Sequence, residues 1–363
     1  MDLLAWSLLD ALARNWAMVA IATTVAILVI VPTLVLMKYV RISLNIMRTT
    51  KPPLSRSPLD FDPLQGQPVD FTAYDGMRLG GMLIPANPDV PRRGVIVFAH
   101  EFCSDMHSCA RYCHPLQQAG YDVFTFDFRG HGQSGNDPDY SPRQWVSDRE
   151  VADIRGALAY VGEWLDRQGH AREIGLFGIS RGACAGILAA TENPDIRAIV
   201  ADGAFSTDCT IEYFMERWAY IFASIRIVYE NHPPAFWKFL RWSLMHFARR
   251  EFKCTFPSVR KAIQRMTPRP IMFIHGEKDS YLPVQQSRQL YALAGQPKYL
   301  WIVPGARHNQ AAVLHRKTYA RLTIEFFNSH LHNSPSETPD RPRRLNGTSR
   351  RVTPAADTVA TSR

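Results

Sequence analysis

The sequence predicts an α/β fold, with helices on both faces of a mostly parallel central sheet, preceded by one transmembrane helix. Three observations lead to this expectation. Short apolar runs alternate with longer amphipathic segments over most of the chain. A segment near the N-terminus is apolar and carries no charged residue. A single serine stands between two glycines where a predicted strand meets a predicted helix.

The transmembrane helix is predicted at 16–37, after a short N-terminal segment at 1–15. About 22 residues at roughly 1.5 Å each cover about 33 Å, enough to cross the hydrocarbon core of a bilayer. A cleaved signal peptide is the first alternative, but the apolar run is too long and no small-residue cleavage site follows it. A buried helix of a soluble domain is the second, and the polar flanks disfavour it. We expect a retained anchor.

The positive charge is concentrated outside the folded domain. A basic, Pro-rich linker at 38–66 carries five positive charges before its first acid, Asp60. The positive-inside rule therefore predicts a cytoplasmic catalytic domain. A Pro-, Ser- and Arg-rich tail at 333–363 is predicted to be disordered. Because the remaining domain is nearly neutral, the net charge of +9 suits anionic lipid headgroups better than a nucleic acid.

The folded domain is predicted at 67–332. Strands are expected at 69–74, 77–84, 94–99, 121–127, 174–177, 198–201, 270–274 and 298–303, and helices at 107–119, 147–168, 181–192, 284–294 and 309–331. The Asp75-Gly76 pair between the first two strands is typical of a hairpin turn. The later strands are continuously apolar, as strands buried on both faces are.

A helical cap is predicted at 206–266, because about 60 residues are too many for a simple connection between two strands. The segment is rich in aromatic residues. Packing of an apolar helix face on the core is the first interpretation. An apolar acyl pocket, with Phe214 and Trp218 as candidate substrate contacts, or a surface lying on the bilayer are the alternatives.

The sequence Gly178-Ile-Ser-Arg-Gly182 indicates a nucleophile elbow, in which a tight strand-to-helix turn lifts Ser180 above the sheet edge. Asp279 and His308 follow two later predicted strands, so the order along the chain is Ser, Asp, His. With Asp127-Phe-Arg-Gly-His-Gly-Gln-Ser134, these motifs resemble the α/β-hydrolase superfamily over about residues 67–332, in its serine aminopeptidase and monoacylglycerol lipase branch.

That resemblance implies a catalytic triad. His308 is expected to take the proton of Ser180, and Asp279 to hold the histidine in the correct tautomer. Asp202, after the preceding strand, is the alternative acid. Structural roles are also open, since Asp279 could cap the following helix and His308 could stand at the start of the last one.

The oxyanion hole is expected to use the backbone N–H groups of Arg181 and Phe102. Here the sequence departs from the superfamily, because Glu101 stands where a glycine is usual. A salt bridge between Glu101 and a nearby arginine such as Arg129 is the expected arrangement, and an active-site role for the carboxylate is the alternative.

Thiol and imidazole groups cluster after Phe102, at Cys103, His107, Cys109, Cys113 and His114. A zinc site is conceivable, but paired Cys-x-x-Cys ligands are missing and ordinary packing is favoured. We therefore predict neither metal nor cofactor, and no disulfide framework among the six cysteines.

The predicted function is a membrane-anchored serine hydrolase that cleaves a carboxylic ester, thioester or lipid acyl bond through an acyl-enzyme on Ser180. Its partners are then a small-molecule or lipid acyl substrate and the membrane, through 16–37. A serine peptidase or amidase of the same fold is the alternative, followed by a non-catalytic binding protein.

Overall fold

The computed structural model describes residues 2–49, 51, 61–222 and 234–331. Eight strands form one sheet in the order β1-β2-β4-β3-β5-β6-β7-β8. They are β1 (Gln67–Thr72), β2 (Arg78–Ile84), β3 (Gly94–Ala99), β4 (Tyr121–Phe126), β5 (Ile174–Ile179), β6 (Ile196–Asp202), β7 (Ile271–Gly276) and β8 (Lys298–Val303). The β1–β2 hairpin pairs antiparallel to β4, and the strands from β4 to β8 are parallel to one another. The predicted α/β class is confirmed.

Ten helices lie in the described ranges. They are α1 (Asp2–Thr49), α2 (Cys109–Gln118), α3 (Asp148–Arg167), α4 (Arg181–Ala190), α5 (Thr207–Phe222), α6 (Pro234–Phe252), α7 (Val259–Arg265), α8 (Gln285–Leu293), α9 (Ala311–Leu314) and α10 (Arg316–His330). One core layer packs α3, α4 and α8 on the sheet, and the other packs α2 and α10 on the opposite face. Both faces of the sheet are therefore covered, which explains why its parallel strands are apolar throughout.

One predicted helix is divided in the structure. The predicted helix at 309–331 is two helices, because His315 has a non-helical backbone (φ −123°, ψ 43°) that separates α9 from α10. The cap region at 206–266 contains α5, α6 and α7, while 223–233 lies outside the described residues. The predicted disordered tail at 333–363 also lies outside them.

Helix α1 does not end where the uncharged segment ends. It continues through Lys38 to Thr49, so the start of the predicted linker is helical. From Asn15 to Val35 its described residues are almost all exposed, whereas Val40, Leu44 and Met47 are buried in the core of the domain. The sequence analysis placed this segment in the linker because of its charged residues. Val40, Leu44 and Met47 stand among those charges at four- and three-residue spacing, which puts them on one face of a helix. The C-terminal end of α1, from Val40 to Met47, is therefore part of the folded domain.

Candidate active site

The sheet places the chemically important turns at one edge. In the parallel ladder, Ala99 of β3 lies beside Gly178 of β5, and Ile179 lies beside Asp202 of β6. Strands β7 and β8 continue the same edge, with Gly276 opposite Val303. The turns that carry Glu101, Ser180, Asp279 and His308 follow these strand ends, where ligands bind in open α/β sheets.

Ser180 stands in a strained turn. Its backbone (φ 52°, ψ −115°) lies outside the regions that a residue with a side chain normally adopts. Its N–H donates to the carbonyl of Asp202 at 2.7 Å, which ties the turn to the end of β6. A Cβ at Gly178 would lie 2.5 Å from Cα of Ala183, and one at Gly182 would lie 2.2 Å from the carbonyl oxygen of Ala99. Both glycines are therefore required by close backbone contact.

Ser180, His308 and Asp279 form one hydrogen-bonded chain. Ser180 Oγ lies 3.0 Å from His308 Nε2, and His308 Nδ1 lies 2.7 Å from Asp279 Oδ2. A carboxylate accepts, so Nδ1 carries a proton and, in the neutral ring, Nε2 is free to accept from the serine hydroxyl. All three residues are buried. The structure thus brings the three predicted triad residues together in the geometry that activates a serine.

The environment of Asp279 favours its ionised form. Burial acts to raise the pKa of this carboxyl, but the hydrogen bond and charge of His308, together with His275, lower it below its ordinary value. The other carboxylate oxygen accepts from the backbone N–H groups of Tyr281 and Leu282 at 2.9 and 2.8 Å. These bonds hold Asp279 in the orientation that its contact with His308 needs.

The candidate oxyanion N–H groups belong to Phe102 and Arg181, and in the described part of the chain neither has a hydrogen-bond acceptor. The N–H of Phe128 donates to His100 Nε2 at 3.2 Å, so Nδ1 of the neutral ring donates to the carbonyl of Glu101 at 2.6 Å. In a trans peptide the C=O and N–H point in opposite directions. By fixing the Glu101 carbonyl, His100 therefore fixes the direction of the Phe102 N–H.

Burial, with the nearby His131 and Arg181, holds the pKa of His100 well below its usual range. The ring is therefore neutral at physiological pH, as its acceptor role at Nε2 requires. The sequence reasoning missed this residue as a positioning group, although it stands directly before Glu101 at the end of the apolar strand β3.

The side chain of Arg181 contacts Phe102, the other residue with a candidate oxyanion N–H group. Its guanidinium carbon lies 4.9 Å from the ring centre of Phe102 and 5.0 Å from that of Phe128. Nη1 donates to the carbonyl of Arg143 at 2.9 Å and forms a fully buried ion pair with Glu150 at 3.4 Å. A single residue thus supplies one candidate oxyanion N–H and packs against the residue that supplies the other.

The expected salt bridge between Glu101 and Arg129 is not formed. Arg129 instead pairs with Asp75, Asp137 and Asp153, whose carboxylates surround its buried guanidinium. Glu101 is 3% exposed, and burial raises the pKa of its carboxyl. The sequence could not show that three acids, 8 to 54 residues away in the chain, would converge on Arg129.

Asp202, the alternative acid, is bonded elsewhere. Its Oδ2 accepts from the hydroxyl of Tyr319 at 2.8 Å, on the layer formed by α10. Burial raises its pKa to about 6, so the environment disfavours its charge. The geometry therefore favours Asp279 over Asp202 as the partner of His308.

Aromatic side chains connect His308 with helix α5 of the cap. The ring of Tyr281 lies edge-on to His308 with centroids 5.1 Å apart, a contact that the sequence reasoning did not anticipate. Phe214, a predicted substrate contact, is 6.5 Å from Tyr281 and 6.2 Å from Trp145 between ring centroids. The side chain of Trp218 lies outside the described part of the chain.

The cysteines near the site are not activated thiolates. Burial raises the pKa of Cys103, of Cys113 and of Cys109, the last to about 12. Cys109 and Cys113 pack in the apolar layer with α2. Among the described residues no group of His, Cys, Asp and Glu is arranged to hold a metal ion.

Comparison with known proteins agrees with this fold. The family model for serine aminopeptidase, S33, matches residues 90–228. The Pyrococcus furiosus esterase Pf2001 superimposes with a TM-score of 0.54 at 20% identity, covering 77% of this chain and 96% of that one. The chain has the α/β-hydrolase fold. An α/β-hydrolase from Penicillium, GrgF, has a TM-score of 0.51 at 17% identity, covering 74% of this chain and 99% of that one.

The chain also has sequence relatives in bacteria. The chain is 28% identical to the uncharacterized protein YfhR of Escherichia coli O157:H7 over 267 residues, covering 72% of this chain and 80% of that protein. It is 26% identical to the uncharacterized protein YqkD of Bacillus subtilis, covering 64% of this chain and 71% of that protein. These relatives support the fold and leave the substrate to the chemistry of the site.

Proposed function

We propose that the protein is a membrane-anchored serine hydrolase that cleaves an ester, thioester or lipid acyl bond through an acyl-enzyme on Ser180. The observation that carries the proposal is the chain from Ser180 Oγ to His308 Nε2 and from His308 Nδ1 to Asp279 Oδ2. An isolated serine hydroxyl is a weak nucleophile, and this chain supplies the base that it needs.

In the first half-reaction, Ser180 Oγ attacks the carbonyl carbon while His308 Nε2 takes the hydroxyl proton. Asp279, whose lowered pKa keeps it ionised, stabilises the imidazolium that forms. The negative charge on the carbonyl oxygen is stabilised by the N–H groups of Phe102 and Arg181, and the N-terminus of α4 adds its dipole. Collapse of the intermediate breaks the bond to the leaving group, which receives the proton from His308.

In the second half-reaction, water takes the position of the leaving group. His308 accepts a proton from the water as it attacks the acyl carbon, and then returns a proton to Ser180 Oγ as the acid product leaves. The same oxyanion groups act twice. The balance requires only water, and no cofactor enters a step.

Membrane attachment is part of the proposal. Helix α1 has an apolar stretch long enough to cross a bilayer. Its most apolar stretch has a mean hydropathy of 2.6, and none of that stretch is buried. The positive charges that follow the apolar stretch favour a catalytic domain on the cytoplasmic side. A site anchored in this way, with Phe214 and Tyr281 near its histidine, suits an apolar acyl substrate.

A serine peptidase or amidase is the second candidate, and the match to the serine aminopeptidase family favours it. The chemistry of the triad is the same for both candidates, but an amine is a poorer leaving group than an alcohol or thiol. Hydrolysis of p-nitrophenyl esters of increasing acyl length, compared with aminoacyl p-nitroanilides, distinguishes the two.

The full chain, purified in detergent, should hydrolyse the esters faster than the anilides, and Ser180→Ala should abolish the activity against both. Ser141→Ala, at an exposed serine between β4 and α3, is a control that should retain activity. Faster cleavage of the anilides would establish the peptidase candidate. Activity that survives Ser180→Ala would contradict the proposed mechanism.

A further inference from the structure

We propose that the exposed face of the cap helix α6 that carries Phe239 and Trp242 is a bilayer-contact surface, which rests the cap on the leaflet from which α1 emerges. The inference rests on the membrane attachment in the proposed function and adds a second lipid contact, made by the catalytic domain itself. The partner is the interfacial layer of a phospholipid bilayer.

The first observation is an aromatic column exposed on α6. Phe239 and Trp242 are 51% and 63% exposed, and their rings stack with centroids 5.9 Å apart. His246 extends the column, stacked 5.8 Å from Trp242. The opposite face of the helix buries Leu240, Leu244 and Ala248 in the core, and the column is therefore not needed to attach α6 to the domain.

The second observation is the direction of α6 relative to α1. The two helices pack against each other, and Arg48 forms an ion pair with Glu251. Each of these residues is one position from the end of its helix. Antiparallel helices joined at those ends would extend away from each other without a shared surface, so α1 and α6 run in the same general direction.

This arrangement sets the level of the aromatic column. In α6, Phe239 and Trp242 stand twelve and nine positions before Glu251. In α1, Leu36 and Tyr39 stand at the same distances before Arg48. Twelve helical residues correspond to about 18 Å in both helices. Phe239 and Trp242 are therefore near the level where the uncharged segment ends at Met37 and the first charge, Lys38, begins.

That level is the membrane–water boundary of the inserted helix. Aromatic rings, tryptophan above all, are enriched there because their apolar body and polar edge match the headgroup region. Lys238, exposed beside Phe239 in the sequence, and the exposed Arg249 on a later turn add positive charges that attract anionic headgroups. The apolar surface of α1 and the column on α6 thus continue one membrane-facing surface.

The contact has a consequence for the route of the substrate. Helix α6 packs on α5, which carries Phe214 near Tyr281 and His308. A cap held on the bilayer shortens the distance that an acyl chain has to travel through water. The substrate class that fits this route is an amphipathic ester resident in the bilayer.

The direct test is quenching of tryptophan fluorescence by lipids brominated near the headgroup end of their acyl chains. The full chain is reconstituted in vesicles and compared with Trp242→Phe, Trp16→Phe and Trp164→Phe. Trp16 is 71% exposed on the apolar part of α1, whereas Trp164 lies on α3 and contacts Arg92. We expect Trp242→Phe and Trp16→Phe each to lower the quenchable emission and Trp164→Phe to leave it unchanged.

The outcomes separate the two proposals. If Trp16→Phe lowers the quenchable emission and Trp242→Phe does not, the bilayer-contact surface is wrong while the anchor stands. If neither variant lowers it, the membrane attachment in the proposed function is wrong as well. The result does not depend on catalysis, so an inactive preparation is equally informative.

A second measurement tests the consequence for activity. The double variant Phe239→Ser/Trp242→Ser should hydrolyse a long-chain ester in vesicles about tenfold more slowly, while its rate on a soluble short-chain ester stays within about twofold. Tyr74→Ser, at an exposed aromatic residue in the β1–β2 turn, should change neither rate. Equal losses on both substrates, or none on either, would contradict the proposed route.

Discussion

The two sides of Ser180 are built in different ways. On one side, His308 and Asp279 are linked to Ser180 by two side-chain hydrogen bonds. On the other, the candidate oxyanion donors are the backbone N–H groups of Phe102 and Arg181. The buried side chain of His100 holds the peptide group of Phe102, and the side chain of Arg181 packs on the Phe102 ring. The acid–base side therefore depends on which residues are present, and the oxyanion side on how two peptide groups are oriented.

The largest expected effect tests the acid–base side. Asp279→Asn should lower kcat by about 10³- to 10⁴-fold, because an amide can stabilise the wrong tautomer of His308 and cannot stabilise the imidazolium. Asp202→Asn is the matched control, since its amide oxygen can still accept from Tyr319. We expect it to stay within about tenfold of the native kcat. Steady-state kinetics on a soluble ester measures both.

The comparison fails if the two carboxyl variants exchange places. A severe loss in Asp202→Asn together with near-native activity in Asp279→Asn would make Asp202 the functional acid and would require His308 to reorient during catalysis.

The second effect tests the oxyanion side through His100. His100→Ala removes the donor that fixes the Glu101 carbonyl, and the Phe102 N–H should lose its direction. Loss of one oxyanion donor typically lowers kcat by about 10²- to 10³-fold, and partial misalignment should give a loss near the lower end. The affinity for a trifluoromethyl ketone inhibitor, whose adduct carries the oxyanion, should fall in parallel.

His114→Ala, at an exposed histidine on α2, is the control for His100 and should be silent. A His100 variant with a raised KM for the substrate but unchanged kcat and inhibitor affinity would place His100 outside the oxyanion arrangement.

A smaller effect is expected for the Arg181 side chain. Its backbone N–H remains in any variant, so Arg181→Met should lower kcat by about tenfold through looser packing of Phe102. The variant also leaves Glu150 buried without its cation, which typically costs about 3–5 kcal/mol of stability. The double variant Arg181→Met/Glu150→Gln removes that penalty and should keep the kinetic loss. Native kcat in a stably folded double variant would rule out the positioning role.

The smallest effect is on stability and compares the two carboxyls directly. The pKa of Asp202 is raised to about 6, so the folded state binds its proton more tightly than the unfolded chain. Its ionisation therefore destabilises the fold as pH rises from about 4 to 6. The lowered pKa of Asp279 has the opposite sign, because its stabilisation is present at neutral pH and is lost as pH falls through the folded pKa.

Thermal unfolding between about pH 2 and pH 7 measures this difference, because the stabilisation by Asp279 is lost only below about pH 4. Relative to the native chain, Asp202→Asn should gain Tm toward pH 7, and Asp279→Asn should lose Tm there. Parallel profiles for the two variants would show that the two environments do not differ.

The sequence predicts the side of Ser180 that depends on residue types better than the side that depends on the orientation of peptide groups. Ser180, Asp279 and His308 could be located because their residue types and their positions after predicted strands carry the information. His100 could not, because its effect is on the rotation of a peptide group, which no residue type encodes. Arg129 was assigned the wrong partner, since its ion pairs with Asp75, Asp137 and Asp153 depend on tertiary folding.

The fold shows the same limit. The strands could be predicted closely from short apolar runs, and the alternation with helices gave the parallel sheet. The C-terminal end of α1 was assigned to a linker because its exposed charges dominate the local sequence. Only the packing of Val40, Leu44 and Met47 on the domain reveals that it is structural.

The most direct test of the proposed chemistry is covalent labelling of the full chain with a fluorophosphonate, followed by peptide mass spectrometry. We predict one adduct, on Ser180, that is lost in Ser180→Ala and forms much more slowly in His308→Ala. An adduct on another residue, or equal labelling of Ser180 without His308, would contradict the conclusion that His308 activates the serine.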